Sequence, residues 1–181
     1  MNLLKKTGAA GLCLILASHI ALAQFRDAGS KIRGEAMAGH EVRTYQRHAQ
    51  DRSEILYYHS QSQKPIPKEQ SDELVTGIRK DLKASDAALA KLKAEHPRDA
   101  EVLKQIAIIE KHHAAAHAAC STAEDECLKE HGEQAMIGEC CSNMWHELEA
   151  AQSETAKLLK MLKIEKLEPP KKVEPKPKTK P

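Results

Sequence analysis

The sequence predicts an all-α protein: an antiparallel up-down-up-down four-helix bundle with a disordered C-terminal tail. Three observations carry that expectation. The chain is rich in Ala, Lys and Glu with 3% aromatic residues, a composition that suits long helices around a thin core. Residues recur at three- and four-residue steps through four segments of similar length. The breaks between those segments are short and carry Pro or Gly, which favours antiparallel neighbours.

Residues 1–23 read as a signal peptide. Lys5 and Lys6 give a basic start, an apolar stretch follows around Leu12 to Ile20, and the small residues Ala21 and Ala23 precede Gln24. The apolar stretch is short for a membrane span and is interrupted by Ser18 and His19. Cleavage after Ala23 makes the mature chain secreted or periplasmic, starting at Gln24, with no transmembrane span. Cys13 leaves with the leader. Loss of Lys5 and Lys6 takes the formal charge from +2 to about zero, which argues against nucleic acid as a partner.

The bundle is expected over 24–167. Helix one spans about Lys31 to Ser62 with Met37, Glu41, Thr44, His48, Asp51, Ile55 and Tyr58 turned inward, an unusually polar face. Lys64-Pro65-Ile66-Pro67 breaks it, and Ser71, Asp72 and Glu73 cap helix two. Val75, Ile78, Leu82, Ser85, Leu89 and Leu92 follow a heptad rhythm. His96-Pro97 ends that helix. Asp99 and Glu101 open helix three, which runs to about His131 and stops at Gly132. Ser121-Thr122-Ala123-Glu124 matches a capping box, but a continuous helix is the favoured reading. Helix four turns Ile137, Cys141, Met144, Leu148, Ala151, Thr155, Leu158 and Leu162 inward. Residues 168–181 are a Pro/Lys-rich arm.

One face of helix three changes chemistry along its length. Val102, Ile106 and Ile109 give way to a stripe of Glu110, His113, His117, Cys120, Glu124, Cys127 and His131. In the antiparallel topology, His48, His117 and His146 each fall about 14 residues from one pole, roughly 20 Å at helical rise. Cys120 and Met144 come about one turn nearer that pole, followed by Cys127, His131, Cys140 and Cys141. Thiolate, imidazole and thioether together suit copper or zinc. The expected metal ligands are therefore His48, His113, His117, Cys120, Cys127, His131, Cys140, Cys141, Met144 and His146.

An exported chain also invites disulfides. Cys120 and Cys127 on one helix stand about 10 Å apart, beyond bridging reach. Reflection about Gly132 sets Cys127 opposite Cys140, a pair that would staple helices three and four. A stapled structural or interaction protein of the cell envelope is thus the main rival to metal binding. Its basic tail, which carries Lys171, Lys172, Lys176, Lys178 and Lys180, would meet an envelope or protein partner.

Helices three and four resemble the exported four-helix-bundle copper storage proteins. The resemblance rests on His117-Ala118-Ala119-Cys120, on Cys127-Leu128-Lys129-Glu130-His131 before a short turn, and on Cys140-Cys141 with Met144 after it. It implies inward sulfur ligands for Cu(I) at those cysteines, with His117, His131 and Met144 beside them. A ferritin-like di-iron site is the lesser alternative: Glu110-Lys111-His112-His113 gives one Glu-x-x-His, and the second copy is missing. No nucleophile elbow, phosphate loop or Ser/His/Asp arrangement is visible, which argues against hydrolase or kinase chemistry.

Overall fold

The computed structural model describes residues 8–62, 64, 66–129 and 132–164, with side chains from Gly34 onward. Four helices follow in order: α1 Gly8–Ser60, α2 Lys68–Glu95, α3 Ala100–Leu128 and α4 Gln134–Met161. They form the antiparallel up-down-up-down bundle. Each helix packs against its two neighbours in the ring α1, α2, α3, α4, with α1 and α3 on one diagonal and α2 and α4 on the other. The expected tail lies outside the described residues, as do residues 1–7 and the side chains of residues 8–33, where the signal peptide is expected. Among the described residues, no helix is long and apolar enough to cross a membrane.

Local chemistry sets the helix limits. Pro67 takes the N-cap position of α2, so Ser71 does not cap that helix as expected; it lies inside the first turns, buried, with its hydroxyl donating to the Lys68 carbonyl at 2.9 Å. Asp99 caps α3 by accepting from the Val102 amide at 3.1 Å. α3 is continuous through Ser121. There the Thr122 hydroxyl donates back to the Ala118 carbonyl at 3.2 Å, which uses the side chain inside the helix and not as a cap. Cys120 and Cys127 therefore share one straight run of helix.

The inward face of α1 differs from the expected one. Ala38, Val42, Gln46, Ala49, Ser53, Leu56 and Ser60 are buried, whereas Met37, Ile55 and Tyr58 are 59%, 46% and 64% exposed and Thr44, His48 and Asp51 are exposed. The buried seam consists mostly of small residues, which let α1 approach its neighbours closely. At Gly39 a Cβ would fall 2.4 Å from Leu159 Cδ2, a measure of how tightly α1 meets α4. A tight seam excludes the larger side chains and leaves them on the outer face.

The core divides in two along the bundle. One cluster, at the pole where α3 turns into α4, includes Leu56, Val75, Ile78, Leu82, Cys120, Ile137, Cys140, Cys141, Met144 and Leu148. The other is aliphatic and includes Val42, Leu89, Leu92, Val102, Ile106, Ile109 and Leu158. Gln46, Ser85 and His113 fall between the two clusters in the sequences of their helices, and Thr155 joins them from α4. A polar layer so deep must satisfy its own hydrogen bonds.

Candidate functional site

Two chemically distinct groups occupy the half of the bundle where the sequence placed its ligands. The first is sulfur. Cys120 and Cys141 are essentially inaccessible, Cys140 is 7% exposed, and half-buried Cys127 packs against the same cluster. Met144, fully buried, lies one helical turn along α4 from Cys140 and Cys141. Cys120, Cys127, Cys140 and Cys141 are all free thiols, including the two of the expected staple.

Burial pushes every one of these thiols up, because an apolar surround disfavours the thiolate. The effect is greatest at Cys141, whose charge would also be repelled by Cys127, Cys140 and Cys120. Two groups oppose it. The Arg79 guanidinium from α2 stands beside Cys120, and Ser71 hydrogen-bonds to Cys127. Arg79 is itself held by Glu124, an ion pair that crosses from α2 to α3.

The second group is imidazole and carboxylate. His113 Nδ1 lies 2.6 Å from Asp86 Oδ1, and His117 Nε2 lies 2.8 Å from Asp86 Oδ2. The two imidazoles, four residues apart on α3, thus grip one carboxylate from α2. Partial burial would raise the Asp86 carboxyl, but hydrogen bonds from His113 and His117 outweigh it and hold the group well below the usual carboxylate range. With its Nδ1 proton on Asp86, His113 presents Nε2 as an acceptor. The Gln46 amide donates to it at 2.9 Å and to Thr155 Oγ1 at 2.9 Å. Ser85 donates to the Val42 carbonyl at 3.2 Å, and its hydroxyl also stands 3.5 Å from His113 Nε2. Among the described residues, Gln46 Oε1 is buried without a hydrogen-bond partner.

This arrangement corrects the expected ligand sets. His48, His117 and His146 do not converge: His48 is exposed on the outer face of α1, and His146 is 69% exposed beside Glu149 on α4. The difference arises because α1 is rotated to bury Ala38, Val42, Gln46 and Ala49, and because depth along a helix does not fix the face a residue occupies. His113 and His117 are drawn to Asp86 and not to Cys120. Glu110 ion-pairs with Lys93 at 2.7 Å, which removes it from the one Glu-x-x-His copy. His131 lies outside the described residues. Sequence reasoning missed Asp86, although it follows Ser85, the one polar position in the core rhythm of helix two, and it missed Gln46 and Arg79.

Among the described residues, no group of three or more His, Cys, Asp or Glu side chains is arranged as a shell that could hold a metal ion. The thiols stand as packed core side chains, and the imidazoles are engaged with Asp86. Comparison with protein-family models, with curated proteins and with solved structures found no match to this chain.

Proposed function

We propose that this protein is an exported bundle that binds a soft or borderline transition metal, copper as Cu(I) or zinc, through the sulfur-rich pole. The observation that carries this reading is the gathering of Cys120, Cys127, Cys140, Cys141 and Met144 in one core cluster, on α3 and α4 either side of a short turn. Sulfur of both thiolate and thioether type suits Cu(I), and thiolate alone suits zinc.

The apolar surround gives the mechanism its character. A thiol there stays protonated and unreactive until a metal repays the deprotonation, and the protons leave as the metal enters. Burial raises the cost at Cys120, and Arg79 beside it partly offsets that rise. Cys120, Cys127, Cys140 and Cys141 are the proposed ligands, with Met144 as the soft neighbour. Side-chain rearrangement must bring the sulfurs onto a common centre. Titration of the reduced protein with Cu(I) against a chromogenic competing chelator tests this: stoichiometric transfer to the protein is expected, with loss in a Cys120→Ser, Cys141→Ser double variant.

The rival reading, a stapled structural protein, draws on the same proximity. Cys127 and Cys140 are near enough to influence each other electrostatically across the α3–α4 turn. A protein isolated with those two cysteines oxidised and no bound metal would favour that reading.

A further inference from the structure

We infer that the groove between α1 and α4 is a docking site for the chain's own Pro/Lys-rich C-terminal segment, held there as an extended polyproline II strand. The groove, of about 280 Å³, is walled by Tyr57 and Tyr58 of α1 and by Trp145 and His146 of α4, with Glu54 beside them and buried Cys141 beneath. It gathers the one tryptophan and two of the three tyrosines of an aromatic-poor chain. Tyr58 is 64% exposed, and Tyr57 and Trp145 are partly exposed. The rings do not stack on one another. Tyr57 and Tyr58 meet at 68° and Trp145 and His146 at 88°, edge to face, which leaves ring faces open to a further partner.

An aromatic-walled groove suits proline, because a preformed polyproline II strand packs its rings on flat faces and loses little entropy on docking. Lysines between the prolines add a second contact, over an open ring face or with a carboxylate beside it. Residues 168–181 carry that pattern, most densely at Pro175-Lys176-Pro177-Lys178. The groove has the complementary charge: Glu54 lines it, and Glu149, 61% exposed, stands one turn along α4 from Trp145. The chain is also long enough to reach it. Cys141 stands twenty residues back from Met161 at the end of α4, about 30 Å at helical rise. Residues 165–174 span about 31 Å as polyproline II, so Pro175 to Lys178 arrive level with the aromatic walls. A tether this short gives an effective concentration on the order of 1 mM, so a contact too weak to hold a free peptide still docks in the full chain.

Trp145, the one tryptophan, reads the groove directly. The test follows acrylamide quenching of its emission, and its single indole N–H resonance, in the full chain kept metal-free with chelator. The double variant Pro175→Gly, Pro177→Gly should raise the quenching constant severalfold and move the indole resonance. Lys176→Glu with Lys178→Glu should do the same. Both pairs lie outside the four helices, so the far-ultraviolet circular dichroism should be unchanged. Protection in the unmodified chain should persist on dilution, as a contact within one molecule requires. Equal quenching in the unmodified chain and in both variants would overturn the inference. So would protection that fades on dilution, which would give the groove to the tail of a second copy. The readout needs no metal, so it stands apart from whether the sulfur pole binds copper or zinc.

Discussion

Gln46 of α1 and His113 of α3 meet at 2.9 Å across the diagonal of the bundle, where both are buried. Among the described residues the backbones of α1 and α3 do not come into contact, and this hydrogen bond, with its neighbours on Ser85 and Thr155, is a polar link across the diagonal. His113→Ala should remove the link and leave a cavity and unpaired amide hydrogens, at a cost of about 2–4 kcal/mol. A double-mutant cycle with Gln46→Ala, read by urea unfolding, should show coupling of about 1–2 kcal/mol. Additive effects would mean that the pair contributes by volume alone.

Asp86 gives the protein a defined acid response. Its folded pKa lies below the unfolded value because His113 and His117 hydrogen-bond the carboxylate. A depressed carboxyl contributes stability that is present above about pH 4 and is lost as pH falls through the folded value. The difference in urea midpoint between the unmodified protein and Asp86→Asn should therefore be full above about pH 5 and shrink between pH 4 and pH 2. A difference that is constant across that range would contradict the assignment.

The four thiols should react in an order set by burial. Cys127, half-buried, should be modified first by a chromogenic disulfide reagent, and Cys141 last, since it is inaccessible and has the most strongly raised thiol. Under native conditions modification should be slow for all but Cys127, and complete in denaturant. Arg79→Met should slow Cys120 further by removing the positive charge beside it. Rapid modification of all four thiols in the native state would show that the pole opens.

Two glycines should respond oppositely to the same substitution. At Gly34, exposed on α1, no atom lies within 4 Å of an added Cβ, and Gly34→Ala should stabilise by up to about 1 kcal/mol through helix propensity. At Gly132 a Cβ would fall 2.0 Å from the Glu126 backbone carbonyl, so Gly132→Ala must move the turn between α3 and α4. A loss of about 1–3 kcal/mol is expected there. Thermal unfolding of the two variants side by side checks both signs.

Much of this architecture was legible in the sequence. The Pro-containing breaks, the Asp99 cap and the clean aliphatic rhythm of Val75, Ile78, Leu82, Leu89 and Leu92 specify four helices and their connections. The rotation of α1 was not legible. Its outer face has the bulkier residues Met37, Ile55 and Tyr58 at heptad spacing, while its buried face has Ala38, Ala49 and Ser53, whose value lies in close approach and not in hydrophobic area. The sulfur residues were legible as a group because nearness to one pole follows from chain position alone. The partnership of Asp86 with two histidines was not, since it depends on how α2 and α3 are rotated about their axes.

The same rotation takes His48 and His146 out of the expected ligand set. His48 and His146, both exposed, should be replaceable by Ala together with no change in bound copper or zinc. Elemental analysis of the double variant after metal loading checks this. A drop in metal content would return them to the ligand set.

The most direct test of the central reading is metal content of the reduced protein beside a free-thiol count, on material purified without chelator. Stoichiometric copper or zinc is expected, with four thiols of α3 and α4 recoverable in denaturant after metal removal and loss of that metal in the Cys120→Ser, Cys141→Ser variant. Free thiols that take up neither copper nor zinc would contradict it.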